Sequence, residues 1–368
     1  MRTGRGRVVA VLAAALLTAP LASCGSDGAP DREGFTVGLL LPSRAVPRWE
    51  HADRPLIEAQ VKKLCPACRV EYANAENDVT RQRQQMISMV TKGAEVLILD
   101  AADTRALRSS IQEARRAGVP VIAYDRLAEG PITGYVGFDG LQVGRLQGEA
   151  LLRAMERRTG SGDGEADVVM MNGDPTSPNA DSYRKGALSE LGGEVRIARA
   201  YNTLDWSTQN AHTNMSAAVA ALGPDRIDGV LAANDNIAAG VIAALKSAGV
   251  TKLPPVTGQD ADLDAVRRIV AGEQYMTVYK PFVKEAAAVA GMAVAVGRGE
   301  DARDSATTTV DSPTHSRIPA VLLQPSAVTA RDIRRTLIDG GLYTTGQICT
   351  PELRADCDRA GITSGPGG

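Results

Sequence analysis

Residues 119–130 read VPVIAYDRLAEG. Just before them, Arg115-Arg116-Ala117-Gly118 has the form of a helix ending: a basic last turn, then Gly, with Pro120 close behind. Pro120–Tyr124 then reads as a short buried strand. Asp125 and Arg126 place two opposite charges where that strand ends. A helix that stops on Gly and Pro and feeds an apolar strand is one turn of a βα repeat. The charged pair can be a solvent-facing ion pair or part of a site, and the rest of the chain bears on the choice.

The same unit recurs on both sides. Strands are expected at Thr36–Leu41, Val70–Ala73, Val96–Leu99 and Tyr135–Phe138, with helices at about Arg54–Leu64, Thr80–Lys92 and Thr104–Ala117. A second series has strands at Asp167–Met171, Val195–Ala200, Gly229–Ala232 and Val256–Thr257. Its helices fall at about Leu141–Arg158, Asp181–Leu191, Thr208–Leu222, Ile237–Ala248 and Leu263–Ala271. Gly160–Glu165 is expected to be a flexible loop. Tyr275–Tyr279, a helix over Val283–Val296 and Ala320–Leu323 close the chain. Alternating strands and helices predict an α/β fold with mostly parallel sheets covered on both faces, here in two similar lobes.

Length and composition agree. The 368 residues have room for two domains, and 44% hydrophobic with 23% charged residues is a globular balance. A net charge of -2 offers no basic footprint for nucleic acid. With only 2 Trp and 3 Phe, each Trp asks for a reason.

The first residues look like a targeting segment. Arg2, Arg5 and Arg7 precede an apolar run, Val8–Ala19, that is short for a membrane span. Leu21-Ala22-Ser23-Cys24 has the small-residue pattern of a bacterial lipobox, which predicts a signal peptide over 1–23 and a lipid on Cys24. Residues 24–34 would be a polar tether. Removing 1–23 takes away three Arg and no acid, leaving a charge of about −5. In an oxidising compartment, Cys65-Pro-Ala-Cys68 and the pair Cys349 and Cys357 favour two local disulfides. Cross-pairing, or a zinc site using all four thiolates, stays open. His51, His212 and His315 have no metal-ligand spacing, so no metal and no cofactor are expected.

In open α/β sheets ligands bind beyond the carboxyl ends of the strands. The residues found there are Arg48-Trp49, Asp125-Arg126, Asn179 and Arg184, Asp205-Trp206, Asn234-Asp235, Asp260 and Lys280. Both Trp are among them. Carboxylates accept from hydroxyls while Arg, Asn and Lys donate to them, and an aromatic face packs on the C–H face of a ring. That set suits a neutral polyol. No phosphate-binding Gly-rich loop accompanies it. Structural roles compete at several positions: Asn234, Asp235 and Asp262 can cap helices, and Lys280 can be an ordinary surface lysine.

The segments AYDRLAEGPITGYVGFDGLQVGRLQGEAL, NADSYRKGA, LAANDNIAAGVIAAL and TGQDADLDAVRRIVAGEQYMTVYKP resemble the D-xylose-binding proteins of bacterial ABC transporters, within the ribose/galactose-type periplasmic binding proteins. The similarity runs from about Phe35 to Tyr343. The resemblance implies two doubly wound lobes joined by a three-segment hinge, with a monosaccharide between them. Lobe boundaries are placed at 35–137 plus 281–320 and at 138–280 plus 321–345, with a tail over 346–368. It implies sugar contacts from Arg48, Trp49, Asp125, Arg126, Asn179, Arg184, Trp206, Asn234, Asp260 and Lys280. The loops PSRAVPRWEHADRP and NGDPTSPNADSYRKG depart from the family's pattern, and both would line the pocket. The implied role is a lipid-anchored, monomeric binding subunit of an ABC sugar importer, with permease and ATPase as separate chains. A sugar sensor signalling to a membrane kinase or chemoreceptor is the alternative. Glycosidase chemistry is disfavoured, because Asp125 beside Arg126 is suited to permanent ionisation.

Overall fold

A computed structural model describes residues 34–159 and 166–363. The expected signal peptide, the lipidated Cys24, most of the tether and the Gly160–Glu165 loop lie outside these residues.

Among the described residues twelve strands are formed: β1 (Thr36–Leu41), β2 (Arg69–Asn74), β3 (Val96–Leu99), β4 (Val121–Tyr124), β5 (Gly134–Phe138), β6 (Asp167–Asn172), β7 (Arg196–Asn202), β8 (Gly229–Ala232), β9 (Met276–Tyr279), β10 (Thr308–Val310), β11 (Ile318–Leu323) and β12 (Ser326–Thr329). The first sheet has the order β10-β11-β5-β4-β3-β1-β2. All its pairings are parallel except the β10–β11 edge. β3 and β4 are buried along their whole length, as unbroken apolar runs between two helical layers must be. The second sheet has the order β7-β6-β8, all parallel. A single parallel bridge, Val230 to Val256, extends it, and Val278 N–H donates to Gly258 O at 3.1 Å to bring in β9, which pairs antiparallel with β12.

The helices are α1 (Arg54–Leu64), α2 (Val79–Thr91), α3 (Arg108–Arg116), α4 (Gly140–Thr159), α5 (Pro178–Leu191), α6 (Thr208–Leu222), α7 (Asp235–Ser247), α8 (Leu263–Val270), α9 (Phe282–Gly297) and three short ones, α10 (Ala302–Ser305), α11 (Thr345–Ile348) and α12 (Arg354–Arg359). α9 returns to pack on α1, β3 and β5, whereas α4 packs on α5, β8 and β9. The chain therefore passes between the sheets after β5, after β9 and after β11. The third crossing was expected after Ala320. It falls after Leu323, because the apolar run Ile318–Leu323 stays paired with β5 to its last residue. The strand expected at Val256–Thr257 is only the single bridge, and β10 and β12 were not anticipated. Cys65 is bonded to Cys68 and Cys349 to Cys357.

Candidate functional site

The loops leaving β1, β4, β6, β7, β8 and β9 meet at one small cavity. It leaves only about 20 Å³ of open space and is lined by Trp49, Asp125, Arg126, Asn179, Trp206, Asn234, Asp260 and Lys280, with Val46, Ser177, Tyr183 and Gln259. That is little more than the room one water needs, so the two sides are drawn tightly together there. Hydrogen bonds at its rim join the two sides. Asn236 Nδ2 donates to Ala45 O (2.6 Å), Asn77 Nδ2 to Asp205 Oδ1 (3.3 Å) and Thr176 Oγ1 to Ala102 O (3.4 Å).

Asp125 and Arg126 are neighbours in sequence but not each other's partners. The backbone turns through the left-handed region at Asp125 (φ 54°), which separates the two side chains. Asp125 Oδ1 accepts from Asn179 Nδ2 at 2.8 Å, and Oδ2 accepts from Arg48 Nη1 and Lys280 Nζ, each at 3.1 Å. Arg126 Nη1 donates to Ala101 O at 2.9 Å, and its Nε lies 3.4 Å from Asp100 Oδ1. Lys280 also lies 3.1 Å from Asp260 Oδ1. It is buried, so the surface-lysine reading fails.

Arg48 does not line the cavity. Its guanidinium stands behind it, donating to Asp53 (2.9 and 2.7 Å), Glu285 (2.9 Å), Asp125 and Asp260. It also stacks 4.2 Å from the Trp49 ring and 5.0 Å from Phe282. This cation fixes the carboxylates that face the cavity. Arg184 is not brought in either. It lies half-buried at the outer side of α5, paired with Asp181 at 2.9 Å. Asn179 and Tyr183 are four residues apart and share the inner face of α5, while Arg184 is one further step around the helix.

The two Trp close the cavity from different elements. Trp49 opens the turn after β1; Trp206 closes a single 3-10 turn, with Asp205 and Trp206 both left-handed. The Trp206 ring covers Gly173 so closely that any Cβ there would overlap it, and Tyr183 meets its edge at 6.3 Å. Asn234 serves both readings: its Oδ1 caps α7 by accepting from Ile237 N–H at 2.9 Å, and it lines the cavity. Asp235 is not a cap. Its carboxylate accepts from Gln274 (2.7 Å), Thr277 (3.0 Å) and Asp262 N–H (3.0 Å), tying together the segment that carries Asp260. Asp262 makes no capping bond.

Burial alone would raise the Asp125 carboxyl. Lys280, Arg48 and Arg126 outweigh it and hold the group down at about 2, so it is a fixed acceptor. Burial pushes Asp100 and Glu285 well up, despite Arg126 beside the first and Arg48 beside the second. The cluster therefore carries less negative charge than its number of carboxyl groups suggests. Arg48 and Lys280 are both paired with Asp125, the fixed carboxylate, whereas Arg126 faces the raised carboxyl of Asp100. Unpartnered buried atoms do face the cavity: Trp49 Nε1, Trp206 Nε1, Ser177 Oγ and Gln259 Oε1. Two donors, an acceptor and a hydroxyl call for a neutral ligand bearing both kinds of group.

Ser177, Tyr183, Asp53, Asp100 and Glu285 were not singled out from sequence, and Gln259, although it follows the Val256–Thr257 strand end, was not among the expected sugar contacts. Asp100 was within reach, since it directly follows β3. Tyr183 was too, by the helical spacing from Asn179. Glu285 had no local signal.

Two lobes around a three-crossing hinge, with a closed polar cavity at the strand ends, define a binding protein of the periplasmic type. The chain belongs to the periplasmic binding protein domain family, whose model matches residues 37–301. It is 34% identical over 333 residues to the multiple sugar-binding periplasmic protein of Azospirillum brasilense, covering 85% of this chain and 90% of that one. It is 31% identical over 340 residues to the D-xylose-binding periplasmic protein of Haemophilus influenzae, covering 91% and 98%. An ABC transporter solute-binding protein from Clostridium phytofermentans, solved with bound β-D-glucose, superposes with a TM-score of 0.78 at 29% identity, over 85% of this chain and 99% of that one.

Proposed function

We propose that this protein is the extracytoplasmic solute-binding subunit of an ABC sugar importer and holds one neutral monosaccharide, D-xylose or a related aldose, in the interlobe cavity. The observation that carries this reading is the cavity itself: small, closed by two Trp, and lined by fixed donors and acceptors together with unpartnered indole, hydroxyl and amide atoms. Asp125 and Asp260 accept from sugar hydroxyls, while Arg126, Asn179, Asn234 and Lys280 donate to them. The Trp rings pack on the C–H faces of the sugar. The names of the relatives agree with this class. Closure of the lobes over the sugar is the signal a permease reads.

Calorimetry of the sugar-free protein against D-xylose, D-glucose, D-ribose and D-galactose is the direct test. Saturable binding of at least one is expected; no heat from any of them would sink the reading. The lipid anchor rests on Leu21-Ala22-Ser23-Cys24. Cys24→Ala should release the protein from membranes or block its maturation. Unchanged membrane retention, with no acyl mass on the wild type, would remove the anchor.

A further inference from the structure

The chain does not end when it leaves the second sheet. Residues 334–363 fold back as a strap over α8. Ile348, Cys357 and Ile362 are buried in one cluster with Val266, Ile269 and Val270 of α8. Arg267 of α8 donates twice to Gln347 O (3.1 and 2.7 Å), and Arg334 Nη1 donates to Ile362 O at 3.0 Å. The Cys349–Cys357 bond closes the strap on itself.

Tyr343, on this strap, donates its hydroxyl to Ala261 O at 2.9 Å. Ala261 directly follows Asp260 of the cavity. Both residues are left-handed, with φ of 99° at Asp260 and 54° at Ala261. Two consecutive non-glycine residues in that region persist only where their surroundings over-determine them. Three backbone donors of the segment are held from the second lobe: Asp260 N–H by Val278 O (2.9 Å), Ala261 N–H by Thr277 Oγ1 (3.1 Å) and Asp262 N–H by Asp235 (3.0 Å). The Ala261 carbonyl is held by the strap. Burial, with Asp262 and Asp235 nearby, raises the Tyr343 phenol, so it stays a donor.

We propose that Tyr343 is a positioning residue. The disulfide-closed strap brings its hydroxyl to the Ala261 carbonyl and so holds Asp260 in the turn that aims its carboxylate at Lys280, Arg48 and the cavity. The consequence for affinity rests on the sugar-binding reading above; the consequence for the backbone does not.

The test uses the full mature chain as wild type, Tyr343→Phe, and Cys349→Ser combined with Cys357→Ser. Amide hydrogen exchange is followed without sugar, and D-xylose and D-glucose are then titrated by calorimetry. Tyr343→Phe should speed exchange at Asp260–Asp262 while far-UV circular dichroism is unchanged. Affinity for whichever sugar the wild type binds should fall about three- to tenfold, the range of one lost hydrogen bond. The double Ser variant should move both readouts the same way. Adding Tyr343→Phe to Asp260→Asn should cost little more than Asp260→Asn alone, because both act through one carboxylate. Unchanged exchange at Asp260–Asp262 in Tyr343→Phe overturns the proposal. So does faster exchange with affinity within twofold of a sugar-binding wild type, which is what a merely structural tyrosine gives. If the wild type takes up neither sugar, the exchange result still decides the strap, and the sugar reading fails separately.

Discussion

At the scale of single residues, Asp125 carries the most consequence. It is buried, accepts from Asn179, Arg48 and Lys280, and is held at about 2. A carboxyl depressed on folding adds stability above its unfolded value of about 3.9 and loses it as pH falls toward the folded value. The shift corresponds to about 2–3 kcal/mol. Asp125→Asn should therefore be less stable than wild type at pH 7, and the gap should shrink between about pH 4 and pH 2. Urea unfolding of both proteins across that range measures it; a gap independent of pH contradicts the assignment. The same residue faces the sugar in our proposal. Asp125→Ala leaves Lys280 and Arg48 short of a partner, so affinity should drop at least about a hundredfold in a folded protein. A loss of threefold or less would place the ligand elsewhere.

At the scale of elements, the α4–α5 crossing sets the cavity wall. Gly144 of α4 sits under the Tyr183 carbonyl of α5, and a Cβ there would lie 2.0 Å from that oxygen. Gly186 meets Leu141 O on the other side in the same way, at 2.1 Å. The helices approach this closely because neither glycine has a side chain. Asn179 and Tyr183 ride on the face that this contact orients. Gly144→Ala should cost about 1–3 kcal/mol through overpacking and weaken sugar binding as well, since α5 must shift outward. Thermal unfolding and a sugar titration check the two parts. A stability loss with unchanged affinity would show that the crossing does not set the wall. Asn234 couples element and site differently: one carbonyl oxygen both ends the loop after β8 and starts α7.

At the scale of the whole molecule, three crossings link the two sheets, and rim hydrogen bonds join them across the cleft. Asn77 and Asn236 sit at the rim, bonded to Asp205 and Ala45 across the cleft. Neither residue lines the cavity. Asn77→Ala combined with Asn236→Ala should speed sugar release several-fold with little change in the on-rate, because rim contacts form after the sugar is seated. Stopped-flow displacement reads both constants. Altered association with unchanged release would mean that the rim acts before closure. Ligand should also raise the unfolding temperature with the logarithm of its concentration, as binding to the native state alone requires.

The sequence by itself determined the repeat, the strand ends and much of the cavity's chemistry. β1, β3 and β8 are legible because a buried strand of a parallel sheet is a continuous apolar run between helix stops. Trp49, Asp125, Arg126, Asn179, Trp206, Asn234, Asp260 and Lys280 are legible because a parallel sheet puts its loops at one edge. Tertiary structure decided the rest. It separated Asp125 from Arg126 by one left-handed residue, turned Arg184 away from the cavity by one step of a helix, and placed Arg48 behind the cavity. It brought Glu285, which no local pattern marks, onto Arg48 from far along the chain. It also moved the last crossing to the end of β11 and laid the C-terminal strap against the Asp260 turn. Periodicity and local chemistry are properties of neighbours in sequence; charge pairing and helix phase toward a shared cavity are set by neighbours in space.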